Sequence, residues 1–338
     1  MAKGSIQTFL TLMWCMALAS FAGAQTKYTV TDLGTLGGNN SYAGAINDAG
    51  DAVGWSNVPD TNFHAFLWTS SGGLQDIGTL GGDYAVAVAI NSSQQVIGTS
   101  TAAGGYQHNF LWSPTTGFTV LQNDILVGIN SSGEIALYGY GKNAKTYHSF
   151  VWTAATGRKD LGLLQGQTSS TAQGINDLGQ VVGVAGIGEF PEVPEGFYWT
   201  KTKGTQLVPG SSYLKAIDNQ GASTGWVEVG YFINHAILWS EASGVTDLGT
   251  LTGGSLDTSA GLGISVNGQI VGYSSVNGAC CYAIVYSKAA GMQDLNTLIN
   301  GSWFISYAVG INSTGQILAD GYPTGGPFYE HALLLTPQ

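Results

Sequence analysis

The sequence predicts an all-β fold built from repeats, and three observations carry this prediction. A unit of about 44 residues returns seven times, and each copy is marked by one isoleucine: Ile46, Ile90, Ile129, Ile175, Ile217, Ile264 and Ile311. Within a unit, apolar residues alternate with period two, which is typical of β-strands. The last unit stops at Gln338 without a fourth strand, and a matching strand stands near the start, at Tyr28 to Gly38. Together these observations predict a seven-bladed β-propeller of four-stranded repeats, closed by the N-terminal strand.

The first 24 residues are predicted to be a secretory signal and not part of the fold. Lys3 supplies a basic start, residues 9–19 are largely apolar, and Ala22-Gly23-Ala24 resembles a cleavage site. No later stretch reaches the roughly 18 apolar residues of a membrane-spanning helix. We therefore expect residues 25–338 to form one propeller, secreted outside the cell or into the periplasm, as a monomer. The predicted blades are residues 39–82, 83–124, 125–166, 167–210, 211–254, 255–299, and 300–338 completed by 26–38.

The composition excludes several classes of partner. The net charge is −11, and charged residues make up only 9% of the chain. An acidic surface disfavours nucleic acid and anionic membranes, so neither is expected as a partner. Glycine supplies 51 residues, which suits many short strands joined by tight turns.

Each unit is predicted to contain four strands in a fixed order. The first strand ends at the marker isoleucine, and a turn such as Asn47-Asp48-Ala49-Gly50 leads into the second strand. The third strand is the segment His64-Ala65-Phe66-Leu67-Trp68 or its equivalent, and the fourth ends in a sequence such as Asp76-Ile77-Gly78. The residue before the marker is Ala or Gly in all seven units, as expected where strands crowd around an axis.

These motifs resemble a known family. His64-Ala65-Phe66-Leu67-Trp68, followed by Asp76-Ile77-Gly78-Thr79-Leu80-Gly81-Gly82, is similar to the signature of the HAF-repeat proteins, extracellular bacterial proteins named for that tripeptide. The match extends over essentially the whole of residues 25–338. It is specific in the first, third and fifth units and degenerate elsewhere, and units four and six have drifted furthest. The resemblance implies secretion and a repeat architecture, and it implies no activity.

The histidines occupy a single repeat position, which raises the question of a metal site. They are His64, His108, His148, His235 and His331. Equivalent positions in different blades lie too far apart for one zinc ion, whose ligands stand about 2.1 Å from the metal. We instead predict that buried histidines bind aspartates of the adjacent fourth strand, as structural pairs. The repeated aspartates are Asp32, Asp76, Asp160, Asp247 and Asp294. A weaker alternative assigns these aspartates to calcium.

Two further residue types are predicted to be structural. Tryptophans recur at the end of the third-strand segment and are expected to pack between sheets: Trp68, Trp112, Trp152, Trp199 and Trp239. Cys280 and Cys281 are adjacent, so they either form a vicinal ring or simply fill a strand, and the second alternative is favoured.

Function is expected where the repeats differ from one another. Unit three carries Tyr138, Tyr140 and Tyr147, unit four has an acidic loop around Phe190 and Glu192, and unit five has Lys215, Trp226 and Tyr231. Aromatic side chains among polar ones suit stacking on sugar rings or on an extended peptide. The alternative is ordinary variation of loop sequence. The ligand-binding candidates are therefore Tyr138, Tyr140, Tyr147, Phe190, Glu192, Lys215, Trp226 and Tyr231.

These observations favour a binding module over an enzyme. The sequence has no nucleophile elbow, no zinc-protease motif and no phosphate-binding loop, and no cofactor is expected. We expect a secreted module for a glycan or a surface protein. Two alternatives stay open: a hydrolase or lyase that uses Asp, Glu and Tyr in the central channel, and a structural envelope protein. An acidic pair with one strongly raised pKa at the mouth of the channel would favour the enzyme.

Overall fold

The computed structural model describes residues 26–60, 62–122, 124–142, 145–189 and 194–338. The predicted signal segment and the candidate residues Phe190 and Glu192 lie outside this part of the chain. The described residues form 28 β-strands and one short 3-10 helix, η1, at Leu295–Thr297. The predicted all-β class is therefore confirmed.

Four strands recur in each unit, in the predicted order. The first strands are β2 Ser41–Ile46, β6 Gly81–Ile90, β10 Ile125–Ile129, β14 Ser169–Ile175, β18 Tyr213–Ile217, β22 Ser259–Ile264 and β26 Trp303–Ile311. The second strands are β3 Ala52–Asn57, β7 Val96–Ala102, β11 Ile135–Tyr140, β15 Val181–Gly186, β19 Ser223–Gly230, β23 Ile270–Val276 and β27 Ile317–Pro323. The third strands are β4 Phe63–Thr69, β8 Gln107–Ser113, β12 Tyr147–Thr153, β16 Glu195–Thr200, β20 Ile233–Ser240, β24 Ala279–Ser287 and β28 His331–Pro337. The fourth strands are β5 Gly73–Gly78, β9 Gly117–Leu121, β13 Gly157–Asp160, β17 Gly204–Val208, β21 Gly244–Asp247, β25 Gly291–Asp294 and β1 Tyr28–Asp32.

The strands pair into antiparallel sheets of four. Five sheets contain four strands each, and a sixth contains eight, β2–β5 with β6–β9. A single parallel pairing of Phe63 with Tyr84 joins the two halves of the larger sheet. If each half of the eight-stranded sheet is taken as one blade, the sheets agree with the seven blades that the repeats predict. The number of blades stays a prediction.

The N-terminal strand completes the last sheet. β1 pairs with β28 in antiparallel register, with Tyr28 opposite Pro337 and Asp32 opposite Leu333. The sheet order is β1-β28-β27-β26, so the edge of β28 is covered by a strand from the other end of the chain. Covering that edge removes unpaired backbone groups that would otherwise invite association.

A repeated glycine in the second strand lets the first strand and the third-strand side chain approach closely. In blade one, Gly54 stands opposite Phe66. A Cβ atom at Gly54 would lie 2.0 Å from the Tyr42 carbonyl oxygen of the first strand and 2.9 Å from the ring of Phe66, closer than real Cβ contacts. At the equivalent glycines Gly98, Gly183, Gly225 and Gly272, a Cβ would also lie 1.9–2.2 Å from a first-strand carbonyl oxygen, so close approach of the first strand explains why this glycine recurs.

The hydrophobic core consists of layers between neighbouring sheets. One layer, for example, combines Leu33 and Leu334 of the last sheet with Ala52 and Phe66 of the first. The repeated tryptophans pack at the margins of such layers, and Trp199 and Trp239 are themselves buried. Close approach of first strands explains the small residue before each marker, since a Cβ at Gly263 would stand 3.1 Å from Gly310 Cα.

The marker isoleucines meet at the axis. All seven line one cavity of about 180 Å³, together with the turn residues that follow them. A ring of side-chain hydrogen bonds surrounds this cavity, because the asparagine after the marker donates to the carbonyl oxygen of the equivalent residue in the next blade. These bonds run from Asn47 to Asn91, Asn91 to Asn130, Asn130 to Asn176, Asn176 to Asp218, and Asn312 to Asn47.

The asparagine ring is interrupted at two positions, where Asp218 and Ser265 replace asparagine. The Ser265 hydroxyl is buried and has no hydrogen-bond partner in the described part of the structure. Neighbouring turn residues bridge the two gaps, since Gln220 donates to the Val266 carbonyl oxygen at 2.9 Å and Asn267 to that of Ser313 at 3.4 Å.

The strand order gives the molecule two different faces. The lower face carries the short turns between first and second strands and between third and fourth strands. The upper face carries the loops between second and third strands and the connections from one blade to the next. Because the first strands end in the asparagine ring, the axial cavity described above lies at the lower face.

Candidate functional site

The upper face concentrates the exposed apolar side chains. Among the described residues, fourteen large apolar side chains stand exposed, and twelve of them lie in the upper loops or on the adjoining part of a strand. These twelve are Tyr84, Tyr106, Ile125, Tyr140, Ile187, Val229, Tyr231, Phe232, Leu256, Tyr307, Phe328 and Tyr329. Scattered exposed apolar residues are ordinary on a protein surface, but their concentration on one face is characteristic of an interaction surface.

The three tyrosines predicted in unit three meet in one pocket. Tyr140 stacks on Tyr147 with ring centroids 4.6 Å apart, and Tyr138 meets Tyr147 edge-on at 5.7 Å. β11 and β12 place them together, because Tyr140 stands directly opposite Tyr147 in the antiparallel register. The pocket that they line with Asp124 and Arg158 has a volume of about 410 Å³. We call it the blade-three pocket.

An ion pair closes one side of the blade-three pocket. The Arg158 guanidinium donates to Asp124 at 2.6 Å and to the Tyr140 carbonyl oxygen at 3.2 Å. It also lies 4.4 Å from the centre of the Phe150 ring, a cation–π arrangement. Burial raises the pKa of Asp124, and the opposing charge of Arg158 only partly offsets this effect. Sequence analysis missed both residues because neither is an aromatic departure from the repeat, although Arg158 is the only arginine in residues 25–338.

The loop of blade four reaches the same pocket. The Tyr140 hydroxyl donates to Glu189 at 2.5 Å, and this hydrogen bond raises the pKa of Tyr140.

A second cavity of about 470 Å³ adjoins the blade-three pocket on the side of blade two, and it shares Asp124 and Ile125 with that pocket. A ligand could therefore extend from one cavity into the next.

The unit-five candidates do not join the blade-three pocket. Trp226 stacks on Tyr213 with centroids 4.1 Å apart and the rings almost parallel. Burial raises the pKa of Tyr213 to about 12, with a smaller contribution from nearby Tyr138. Tyr231 is 84% exposed at the tip of the β19–β20 hairpin, beside Phe232. Lys215 lies on β18 among the axial strands, well inside the rim where Tyr231 stands.

The histidine–aspartate pairs are present, but they are less buried than expected. The Nδ1 atoms of His64, His148, His235 and His331 lie 2.8, 2.8, 2.9 and 2.9 Å from the carboxylates of Asp76, Asp160, Asp247 and Asp32. The histidine side chains are 19–25% exposed and the aspartates 38–47%. The expectation of buried pairs is thus wrong, because the fourth strand is the outer edge of each sheet.

Each of these aspartates also caps a turn. Asp76 accepts a hydrogen bond from the Gly78 N–H at 2.7 Å, and Gly78 has a φ of +82°, which favours glycine. The same contact recurs at Asp32, Asp160 and Asp247. Asp294 faces Tyr282 instead of histidine and caps η1. The recurring Asp-x-Gly is therefore a turn motif.

The described residues bear on possible metal ligands, on the cysteine pair and on membrane-spanning helices. They contain no group of three or more His, Cys, Asp or Glu that could hold a metal ion. Cys280 and Cys281 are joined by a disulfide at the start of β24, so the favoured expectation that they merely fill a strand is corrected. In the same part of the chain, no helix is both long and apolar enough to span a bilayer.

An acidic pair stands at the seam between the last and first sheets. Asp320 accepts a hydrogen bond from the Ala43 N–H at 2.7 Å, and Ser306 donates to Glu330 at 3.0 Å. Burial raises the pKa of Asp320 to about 8, and the charge of Glu330 adds to the shift. Tyr42 stacks on Trp55 beside this pair, with centroids 5.5 Å apart. Nothing in the repeat pattern pointed to Asp320, which takes a strand position occupied by Trp55 in blade one.

Comparison with known proteins identifies the fold. The β-propeller domain of the Trilobed protease from Pyrococcus furiosus, described as having an open velcro topology, matches with a TM-score of 0.59 at 8% identity, covering 88% of this chain and 97% of that chain. An acylaminoacyl peptidase from Pyrococcus horikoshii matches with a TM-score of 0.55 at 10% identity, covering 91% and 53%. TolB from Acinetobacter baumannii matches at 0.47 and 11% identity, covering 86% and 64%. This chain thus spans less than two thirds of the peptidase and of TolB. No family model and no curated protein matches it.

Proposed function

We propose that this propeller is an exported binding module that takes a carbohydrate in the blade-three pocket of its upper face. The observation that supports the proposal most directly is the convergence of Tyr138, Tyr140 and Tyr147 on one cavity beside the Arg158–Asp124 ion pair. A sugar ring has an apolar C–H face and a rim of hydroxyl groups. Tyrosine rings offer a flat apolar surface with a polar edge, and a charged pair offers both donors and acceptors to hydroxyls.

The electrostatics of the pocket favour binding over hydrolysis. A glycoside hydrolase generally needs two carboxyl groups flanking the scissile bond, about 5–10 Å apart. In the blade-three pocket, Asp124 is committed to Arg158 and Glu189 accepts the hydroxyl of Tyr140. Both carboxylates are thus engaged in holding the pocket together.

The test is a glycan array on the purified chain, followed by calorimetry with any glycan that binds. We expect Tyr140→Ala to weaken binding at least tenfold, because it removes one ring of the stacked pair and its bond to Glu189. Phe328→Ala is the matched control, since Phe328 is 83% exposed on the same face but belongs to the last blade. Equal affinity of the two variants would reject the blade-three pocket as the site.

A second candidate function rests on Asp320. A carboxylic acid that stays protonated near neutral pH has the property required of a general acid, and an aromatic stack lies beside it. The alternative is therefore a hydrolase whose acid is Asp320. Release of nitrophenol from a panel of aryl glycosides, abolished by Asp320→Asn, would support it, and absence of turnover would leave the binding module.

Export, a monomeric state and membership of the HAF-repeat proteins are proposed with this function. Export is supported by the apolar run of residues 9–19 and the Ala22-Gly23-Ala24 sequence. Membership is supported by the recurrence of the third-strand segment that reads His-Ala-Phe in unit one, where Phe66 stands opposite Gly54 and His64 binds Asp76. Detection of the chain in the periplasm or culture medium, shortened by about 24 residues, tests the export.

A further inference from the structure

Every first strand carries a β-bulge at the same repeat position, two residues before the marker isoleucine. The bulged residues have no partner in the second strand, and all are partly exposed: Gly44, Val88, Val127, Gln173, Lys215, Leu262 and Val309. The first strands surround the axis, and three of the apolar bulged residues, Val88, Val127 and Val309, pack against core layers between neighbouring blades. Bulges re-aim side chains and are often found beside functional sites.

Two of the seven bulged residues are polar, and they are neighbours. Lys215 of β18 donates to the Gln173 amide oxygen of β14 at 3.4 Å. The other five are glycine, valine or leucine, so this pair is a single polar position in an otherwise apolar ring. Equivalent positions in five blades thus have no polar side chain, which argues that the pair is not needed to form the bulge.

The Lys215 ammonium lacks a counterion. No carboxylate of the described residues lies within 4 Å of its Nζ atom, whereas Arg158, Lys201 and Lys203 all have one. Burial lowers the pKa of Lys215. The nearby Asp218 is engaged elsewhere, because its Oδ1 atom accepts from the N–H groups of Gln220 and Ala222. A desolvated cation without a partner is costly unless something anionic completes the site.

The aromatic stack of blade five lies on the same strand pair as Lys215. Tyr213 stands opposite Trp226, and the register shifts between Leu214 and Ala216, so Lys215 is the bulged residue two positions along β18 from the stack. We call the Tyr213–Trp226 stack the aromatic shelf.

We propose that Lys215 and Gln173 bind the carboxylate of an acidic sugar, a uronate, whose ring lies against the Tyr213–Trp226 stack. A single cation matches one negative charge, and a dianion such as phosphate would leave an uncompensated charge at this partly buried position. The lysine supplies the charge and the glutamine amide a further donor, an arrangement that a neutral sugar cannot satisfy. Tyr213 lies near Tyr138 of the blade-three pocket, so the two sites are neighbours, and the variants below distinguish them.

The test measures binding of D-glucuronate, D-glucose and acetate to the full chain by calorimetry at pH 7. Glucuronate is expected to bind at least tenfold more tightly than acetate, and glucose not to compete with it. Lys215→Met, which keeps the length of the side chain, should weaken glucuronate binding at least tenfold. Lys288→Met is the control, because Lys288 is an exposed lysine in a turn of blade six.

A spectroscopic readout protects the test against a variant that fails to fold. In wild-type protein with 13C-labelled lysine, glucuronate should shift the Lys215 Cε resonance and leave that of Lys288 unchanged. Equal binding of glucose, full retention of affinity by Lys215→Met, or an unmoved Lys215 resonance at saturating glucuronate would each overturn the proposal. Equal affinity for acetate would overturn the contact with the aromatic shelf. Loss of glucuronate binding in Tyr140→Ala but not in Lys215→Met would place the ligand in the blade-three pocket instead.

Discussion

His331 on the last strand binds Asp32 on the first, with Nδ1 2.9 Å from Oδ1, across 299 residues of chain. The contact joins the two ends of the ring. The hydrogen bond that His331 donates to Asp32 raises the pKa of His331, although burial acts in the opposite direction. Burial by itself would raise the pKa of Asp32, but the hydrogen bonds that its carboxylate accepts from His331 and Gly34 lower that pKa overall.

The ring closure should therefore be most stable at mildly acidic pH. Because the pKa of His331 is higher in the folded state than in the unfolded state, where it is about 6.5, protonation of His331 stabilises the fold below pH 6.5. This stabilisation disappears as the pH rises through the pKa of the folded state. The lowered pKa of Asp32 stabilises the fold above about 4, and this contribution disappears as the pH falls. We expect His331→Gln to lower the melting temperature most near pH 5 and least above pH 8. His108→Gln is the control, since Val120 stands at the aspartate position in that blade, and a pH-independent difference would contradict the prediction.

Asp320 should make the protein less stable as the pH rises. Its folded pKa of about 8 exceeds the unfolded value of about 4, so the folded state holds the proton more tightly. The free energy of unfolding is therefore expected to fall as the pH rises from about 4 to about 8. Asp320→Asn keeps the shape of the side chain and should remove this loss, giving a variant that is more stable above pH 8 by a few kcal/mol. Urea unfolding at pH 5, 7 and 9 measures the effect, with exposed Asp60→Asn as the control, and equal pH dependence of the two variants would refute it.

Completing the asparagine ring should stabilise the propeller. Asp218 cannot donate to the next blade, and burial raises the pKa of its carboxyl. Asp218→Asn would supply the missing donor toward Ser265, with a gain of about 1 kcal/mol in the free energy of unfolding. The reverse change, Asn91→Asp, should cost a similar amount or more, because it breaks an existing bond. Urea unfolding at pH 7 measures the free energy of unfolding of both variants. A destabilised Asp218→Asn would show that the hydrogen bonds of the asparagine ring do not stabilise the fold.

Two kinds of glycine should respond differently to alanine. Gly54→Ala places a Cβ against the Tyr42 carbonyl oxygen and the Phe66 ring and should cost about 3 kcal/mol or more, because overpacking against backbone cannot be relieved by a rotamer change. Gly73 has a φ of +65° with open space around it, so Gly73→Ala carries only the penalty of a left-handed backbone, about 1 kcal/mol. Adding Phe66→Leu should recover little of the first loss, because the clash with the Tyr42 carbonyl oxygen remains, and none of the second. Thermal unfolding of the variants tests this, and full recovery of stability in Gly54→Ala/Phe66→Leu would contradict the backbone contact.

Much of the fold follows from local pattern. Strand alternation, Asn-x-x-Gly turns and the displaced fourth strand predict the sheets and their closure, because period two and turn chemistry act over a few residues. The His64–Asp76 pairing was also predictable, since neighbouring antiparallel strands align residues at a fixed register. The depth of that pair was not, because exposure depends on which strand forms the outer edge.

The candidate sites depend on contacts between distant parts of the chain. Tyr138, Tyr140 and Tyr147 could be selected from the sequence as departures from the repeat, but the approach of Glu189 comes from another blade. Lys215 also stood out as a polar residue in an apolar strand. Its lack of a counterion and its contact with Gln173, 42 residues away, arise only once the first strands surround a common axis. Repetition thus encodes each blade locally, whereas the electrostatics of a channel or a seam depend on how the blades are brought together, because burial and charge proximity are properties of the closed ring.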